Sequence, residues 1–150
     1  MQVTFKRKPV PIPADYRPLY KIALVLLILD RNSRGKKASI MKLHLFSWAL
    51  KSEISKDRLI NALELGTLPD IWSFEPSLNR ALTFAEAEGL CEVVNKKNYK
   101  ITKKGKEFLD MVINEQDVFK TEQEFLNKVG LKVGETTIQN TIKKWNKNHA

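Results

Sequence analysis

The chain has 150 residues, 43% of them hydrophobic, which is enough to bury a core and too apolar for a chain that stays unfolded. Lysine plus arginine number 26 against 17 acidic residues, and the resulting net charge of +9 favours an anionic partner such as nucleic acid, although it also serves solubility. The single cysteine, Cys91, excludes a disulfide framework within the chain and, with only two histidines, leaves no Cys/His metal set, so no cofactor is expected.

Residues 1–15 read as an N-terminal arm. Lys6, Arg7 and Lys8 precede Pro9, Pro11 and Pro13, which oppose a helix and favour extended backbone. A first helix is predicted from Arg17 to Asn32, with Pro18 suited to its first turn. Its apolar run, Ile22 to Leu29, falls far short of the roughly 20 residues that span a bilayer. No small-residue cleavage site follows it, so the expectation is a cytoplasmic chain with no membrane partner. The centre of this helix is apolar on every side. Such a helix is either central or keeps one face for a partner chain, and Tyr20 near its start is a candidate partner contact.

Ser33–Ala38 reads as a basic turn carrying Arg34, Lys36 and Lys37, with Gly35 able to take a left-handed conformation. Ser39 can cap a second helix, Ile40 to about Ser52, on which His44, Phe46 and Trp48 are further candidate partner contacts. Ser52 or Ser55 opens a third helix that ends near Gly66. Trp72 and Phe74 in the connector suit core filling better than ligand binding. A fourth helix is predicted from Pro76 to Gly89, with Leu78, Ala81, Leu82 and Ala85 on its inward face.

Next come Val94, the turn-prone Asn95-Lys96-Lys97-Asn98, and Tyr99 with Ile101, a strand–turn–strand pattern. Thr102 can cap the following helix, whose apolar side carries Phe108, Leu109 and Val112. Tyr99-x-Ile101-Thr102-x-x-Gly105-x-x-x-Leu109, placed after a helix, resembles the wing of winged-helix domains. That resemblance implies a domain that binds DNA or joins protein assemblies. The helix from Lys103 runs to about Asn114, another fits Asp117–Lys128, and a last begins near Glu135. Ile138, Ile142 and Trp145 form its narrow apolar stripe, which docks on the domain or on a partner. The fold class expected is mostly α with one small β-hairpin. It comprises a winged helix-turn-helix-like domain over residues 16–114, the N-terminal arm, and a C-terminal helical extension over 115–150.

No phosphate-cradling glycine loop and no dinucleotide fingerprint occurs, and nothing local to His44 or His149 supports a metal site or a nucleophile–base set, so no enzyme and no small-molecule substrate are expected. A base-reading winged helix presents Arg, Lys, Asn or Gln from the helix before its wing. Here the outward positions are Asn79, Arg80, Thr83, Glu86 and Glu88, and the two carboxylates oppose a phosphate backbone. Positive charge lies elsewhere. Arg34, Lys36, Lys37, Lys96, Lys97, Lys100, Lys103 and Lys104, together with Arg80, are the candidate contacts to a DNA backbone, a set better suited to non-specific holding than to base readout.

Arg17–Leu24, Ser33-Arg34-Gly35 and Lys42–Leu50 together are similar to the small middle components of bacterial ABC-three-component systems, including the accessory subunit of Lamassu-type antiviral defence. The resemblance covers roughly residues 16 to 110. It implies a non-catalytic subunit bridging an SMC-like, ABC-type ATPase and an effector such as a nuclease, with non-specific contact to double-stranded DNA left open. The alternative reading is a homodimeric winged-helix transcriptional regulator.

Overall fold

The computed structural model describes residues 18–70, 72–115 and 119–148; the predicted arm, the start of the first helix and the predicted helix start at Asp117 lie outside them. Among the described residues there are seven α-helices and three short strands. These are α1 (Pro18–Arg31), β1 (Lys37–Ser39), α2 (Ile40–Ala49), α3 (Glu53–Glu64), α4 (Pro76–Ala87), β2 (Cys91–Val94), β3 (Asn98–Ile101), α5 (Lys103–Glu115), α6 (Lys120–Val129) and α7 (Glu135–Asn148).

Every residue from Lys21 to Asp30 is buried, because α2, α4, α5, α6 and β3 all pack around α1. Its all-round apolar centre is thus that of a central helix covered by its own chain. At its end the buried Asp30 pairs with Lys106 at 3.0 Å and Lys36 at 3.3 Å, tying α5 and the basic turn to α1. Burial alone would raise the Asp30 pKa, but the Lys106 and Lys36 ammonium groups outweigh it and hold the carboxyl below its ordinary value.

Local chemistry sets the helix boundaries. The Ser39 hydroxyl accepts from the Lys42 N–H and opens α2. Ser52 accepts from the Ser55 N–H and opens α3, and its extended backbone is why α2 stops at Ala49 rather than at the predicted Ser52. Pro76 stands in the first turn of α4. Gly89, at φ +74°, terminates that helix in a conformation that a side chain would strain.

The sheet contains the expected hairpin, β2–β3, and adds a third strand to it. It has three antiparallel strands in the order β1-β3-β2, with Lys37 opposite Lys100 and Ser39 opposite Asn98. The third strand lies inside what reads as a basic turn: three residues show no usable alternation, and only pairing with β3 extends them. Asn95 and Lys96, both at positive φ, make the tight wing turn.

The Thr102–Gly105 motif has a structural meaning. The Thr102 hydroxyl donates to the Gly89 carbonyl at 2.6 Å and accepts from the Gly105 N–H at 3.0 Å, so one side chain closes α4 and opens α5. Gly105 packs against the Leu90 carbonyl so closely that a Cβ would overlap it. With α3 set aside, the elements from α1 to β3 run helix, strand, helix, helix, strand, strand, the order expected of a winged-helix-like domain. The segment 51–75, which carries α3, is added between α2 and α4, and a Lys51–Glu75 ion pair of 3.1 Å joins its two ends.

The C-terminal extension packs onto the same core. Phe119 stacks on Tyr20 with ring centroids 5.1 Å apart, and the Tyr20 hydroxyl donates to Glu122. Asn32 Nδ2 donates to the Leu126 and Gly130 carbonyls, closing the end of α6. Trp145 of α7 meets Trp72 of the added segment edge-on, at 4.5 Å between centroids. Lys56 of α3 lies 5.8 Å above the Phe125 ring of α6.

Candidate interaction surface

The helix before the wing, α4, holds the position that in DNA-reading winged helices enters the major groove. Its inner stripe of Leu78, Ala81, Leu82 and Ala85 is buried as predicted, against α1. Its N-terminal end is fixed by a buried polar network. Lys21 pairs with Glu75 at 3.1 Å and donates to Ser47, and the Ser47 hydroxyl donates to Glu75. The Glu75 backbone N–H donates to His44 Nδ1 at 3.2 Å, which leaves the imidazole proton on Nε2, facing Asn79 Oδ1 at 3.1 Å. Burial pushes the His44 pKa below its ordinary value, and the Asn79 bond and the Glu75 charge offset only part of that. Burial acts to raise the Glu75 pKa, but bonding to Lys21, Lys51 and Ser47 holds the carboxyl below its ordinary range.

Bonds within the fold engage part of what the exposed side of α4 would offer to base edges. Asn79 accepts from His44, and the Thr83 hydroxyl donates back to the Asn79 carbonyl. Beside them an open cleft of about 570 Å³ is lined by Lys51, Phe74, Glu75, Ser77 and Arg80. Lys51 and Glu75 satisfy each other there, leaving Arg80 as the cation without a carboxylate among the described residues. Among what α4 exposes is an aromatic ring: Phe84 is 51% accessible, and Phe74, just before the helix, equally so.

Most of the partner-contact candidates turn inward. Phe46 and Ile138 are wholly buried and His44 nearly so, because each fills the chain's own core or the α4 network. Tyr20 and Trp145 bond and stack across the seam between domain and extension, while Trp48 and Ile142 pack half-buried on the core. Phe74 corrects the expectation of a core filler. Phe84 was missed, although it falls outside the inward stripe Leu78/Ala81/Leu82/Ala85, and that was its sequence signal.

The basic candidates divide in the same way. Lys36 Nζ donates to the Asp30 carbonyl at 2.7 Å, and Lys104 Nζ donates to the Glu88 carbonyl at the end of α4. Both stay exposed, as are Arg34, Lys37, Lys96, Lys97, Lys100 and Lys103. Lys37 and Lys100 face each other across β1 and β3, with Glu92 opposite Lys100 on the far side. Strand pairing thus brings together on the outer sheet face two cations that are far apart in sequence.

Burial, with Glu86 and Glu92 nearby, pushes the Cys91 thiol up to about 11, so it is neutral at physiological pH. Among the described residues no three His, Cys, Asp or Glu side chains are placed to hold a metal ion, and no helix is long and apolar enough to cross a membrane. No family model matches the chain, and comparison with curated proteins and with solved structures finds no match.

Proposed function

We propose that this chain is a non-catalytic, cytoplasmic accessory subunit that works through protein contacts within a larger assembly. The observation that carries the reading is the outer face of α4. Its last turn is acidic, the Asn79 Oδ1 and Thr83 hydroxyl already bond to His44 and to the helix's own backbone, and its exposed large apolar side chain is Phe84. A helix so equipped suits an apolar protein contact better than the edges of bases. The likeness of residues 16–110 to the middle components of ABC-three-component antiviral systems supplies the kind of assembly: an SMC-like, ABC-type ATPase and a nuclease effector, bridged by this subunit. The outer sheet face with Lys37 and Lys100, together with Lys96 and Lys97 on the wing turn, suits sequence-independent contact with a duplex backbone held by that assembly.

The test is affinity purification of the tagged chain from its native cell, with mass spectrometry and sizing. The expected result is stoichiometric recovery of an ABC-type ATPase and a second, effector subunit. Recovery of the chain alone, bound to one duplex sequence in preference to others, would overturn the reading in favour of a winged-helix regulator.

A further inference from the structure

The exposed face of α4 carries a self-complementary pattern. Arg80, Phe84 and Glu88 are spaced four residues apart and all exposed, so they lie along one stripe of the helix. Phe84 is its centre, with a cation one turn before and an anion one turn after. Among the described residues neither Arg80 nor Glu88 has an ion-pair partner. On a chain of net charge +9, Glu86, Glu88 and Glu92 also gather exposed acid at the end of α4, away from Arg80 at its start.

We propose that α4 is a self-association surface whose occupant is the α4 of a second copy, laid antiparallel about a two-fold axis at Phe84. In that arrangement Phe84 meets Phe84 of the partner subunit. Arg80 meets Glu88 of the partner subunit, and Glu88 meets Arg80 of the partner subunit, so one stripe satisfies itself twice, as an isologous contact requires. Such pairing occludes the position that a base-reading winged helix inserts into the major groove, and it rests on the same exposed Phe84 face as the assembly reading, with a second copy named as the occupant.

A single helix pair buries far less than the roughly 1,600 Å² of a standard interface, so the dimer is weak and concentration-dependent. The experiment is sedimentation equilibrium of the full chain from about 10 μM to about 500 μM, a range set by that small area. The wild-type chain is expected to dimerise. Arg80→Glu and Glu88→Arg, each alone, place like charges together twice and weaken dimerisation by about tenfold or more. An equimolar mixture of these two variants restores association, because each now carries the charge the other lacks, and the double variant Arg80→Glu/Glu88→Arg restores it by itself. All three positions are exposed, and unchanged melting curves verify that the variants fold. A wild-type chain that stays monomeric over the whole range overturns the proposal. So does a dimer indifferent to the single reversals, or variants whose mixture fails to associate.

Discussion

The N-terminal end of α4 and the seam between domain and extension are built on opposite terms. Around α4, Lys21, His44, Ser47 and Glu75 are all buried and all bonded to one another or to neighbours. At the extension seam, Trp72 Nε1, Trp145 Nε1 and Asn32 Oδ1 are buried without a partner, and they are the unsatisfied side-chain atoms found among the described residues. Directional bonds therefore specify where α4 sits. The extension is held by stacking and apolar area together with a few bonds from Tyr20, Asn32 and the Ser39 N–H, and three polar atoms are left unpartnered there at a cost of about 1 kcal/mol or more each. The first seam is fragile to the loss of any member of its network, whereas at the Trp72–Trp145 contact of the second, volume counts for more than polar pairing.

The sharpest way to break this contrast is at Glu75. Its removal takes the Glu75 carboxylate from the buried Lys21 ammonium and from Lys51, and weakening the pairing of a buried charge is expensive. Glu75→Ala is expected to cost about 3 kcal/mol in urea denaturation. The double variant Lys21→Met/Glu75→Leu should cost less than the single one, since it removes both charges together. A Glu75→Ala loss below about 1 kcal/mol would mean that the network contributes little to specifying α4.

A gentler probe is acid. His44 is held neutral in the fold, its pKa below the ordinary 6.5, so the unfolded chain binds the proton first as pH falls. The imidazole's contribution to stability is therefore complete above about pH 6.5 and declines below it. Protonation would also set an Nδ1 proton against the Glu75 N–H that now donates there. In a His149→Gln chain, where His44 is the remaining imidazole, unfolding free energy should fall between about pH 6.5 and about pH 5, above the range in which Glu75 and Asp30 titrate. A flat profile across that window, or the same slope in His44→Gln, would separate His44 from the network.

How legible each seam was follows from the range of its interactions. Capping at Ser39 and Ser52, the inward stripe of α4 and the Thr102–Gly105 motif act within a few residues, so local pattern reports them. The α4 network joins Lys21, His44, Ser47 and Glu75 across three separate segments, and each read alone is an ordinary polar residue. Strand β1 exists through its pairing with β3, more than fifty residues away. His44 was legible as a structural or partner-contact residue. Its acceptor role toward the Glu75 backbone was not, since nothing in Lys42–Phe46 marks residue 75 as a neighbour. Composition showed how apolar Phe46 and Ile138 are but not whose core they fill, so candidates for a partner became the chain's own interior.

The smallest expected effect is the most telling about the extension. Trp145→Phe keeps most of the ring that meets Trp72 and deletes a buried N–H that has no acceptor. If the seam holds by area, the substitution should leave stability unchanged or raise it by up to about 1 kcal/mol, because the desolvation cost of the orphan disappears. Trp145→Ala, which removes the ring itself, should cost about 2 kcal/mol, less than a fully buried tryptophan would because this one is half-buried. Thermal denaturation of the two variants side by side gives the answer. A Phe variant as damaged as the Ala variant would show that the indole N–H is bonded in solution, and the extension would then be specified by directional bonds just as α4 is.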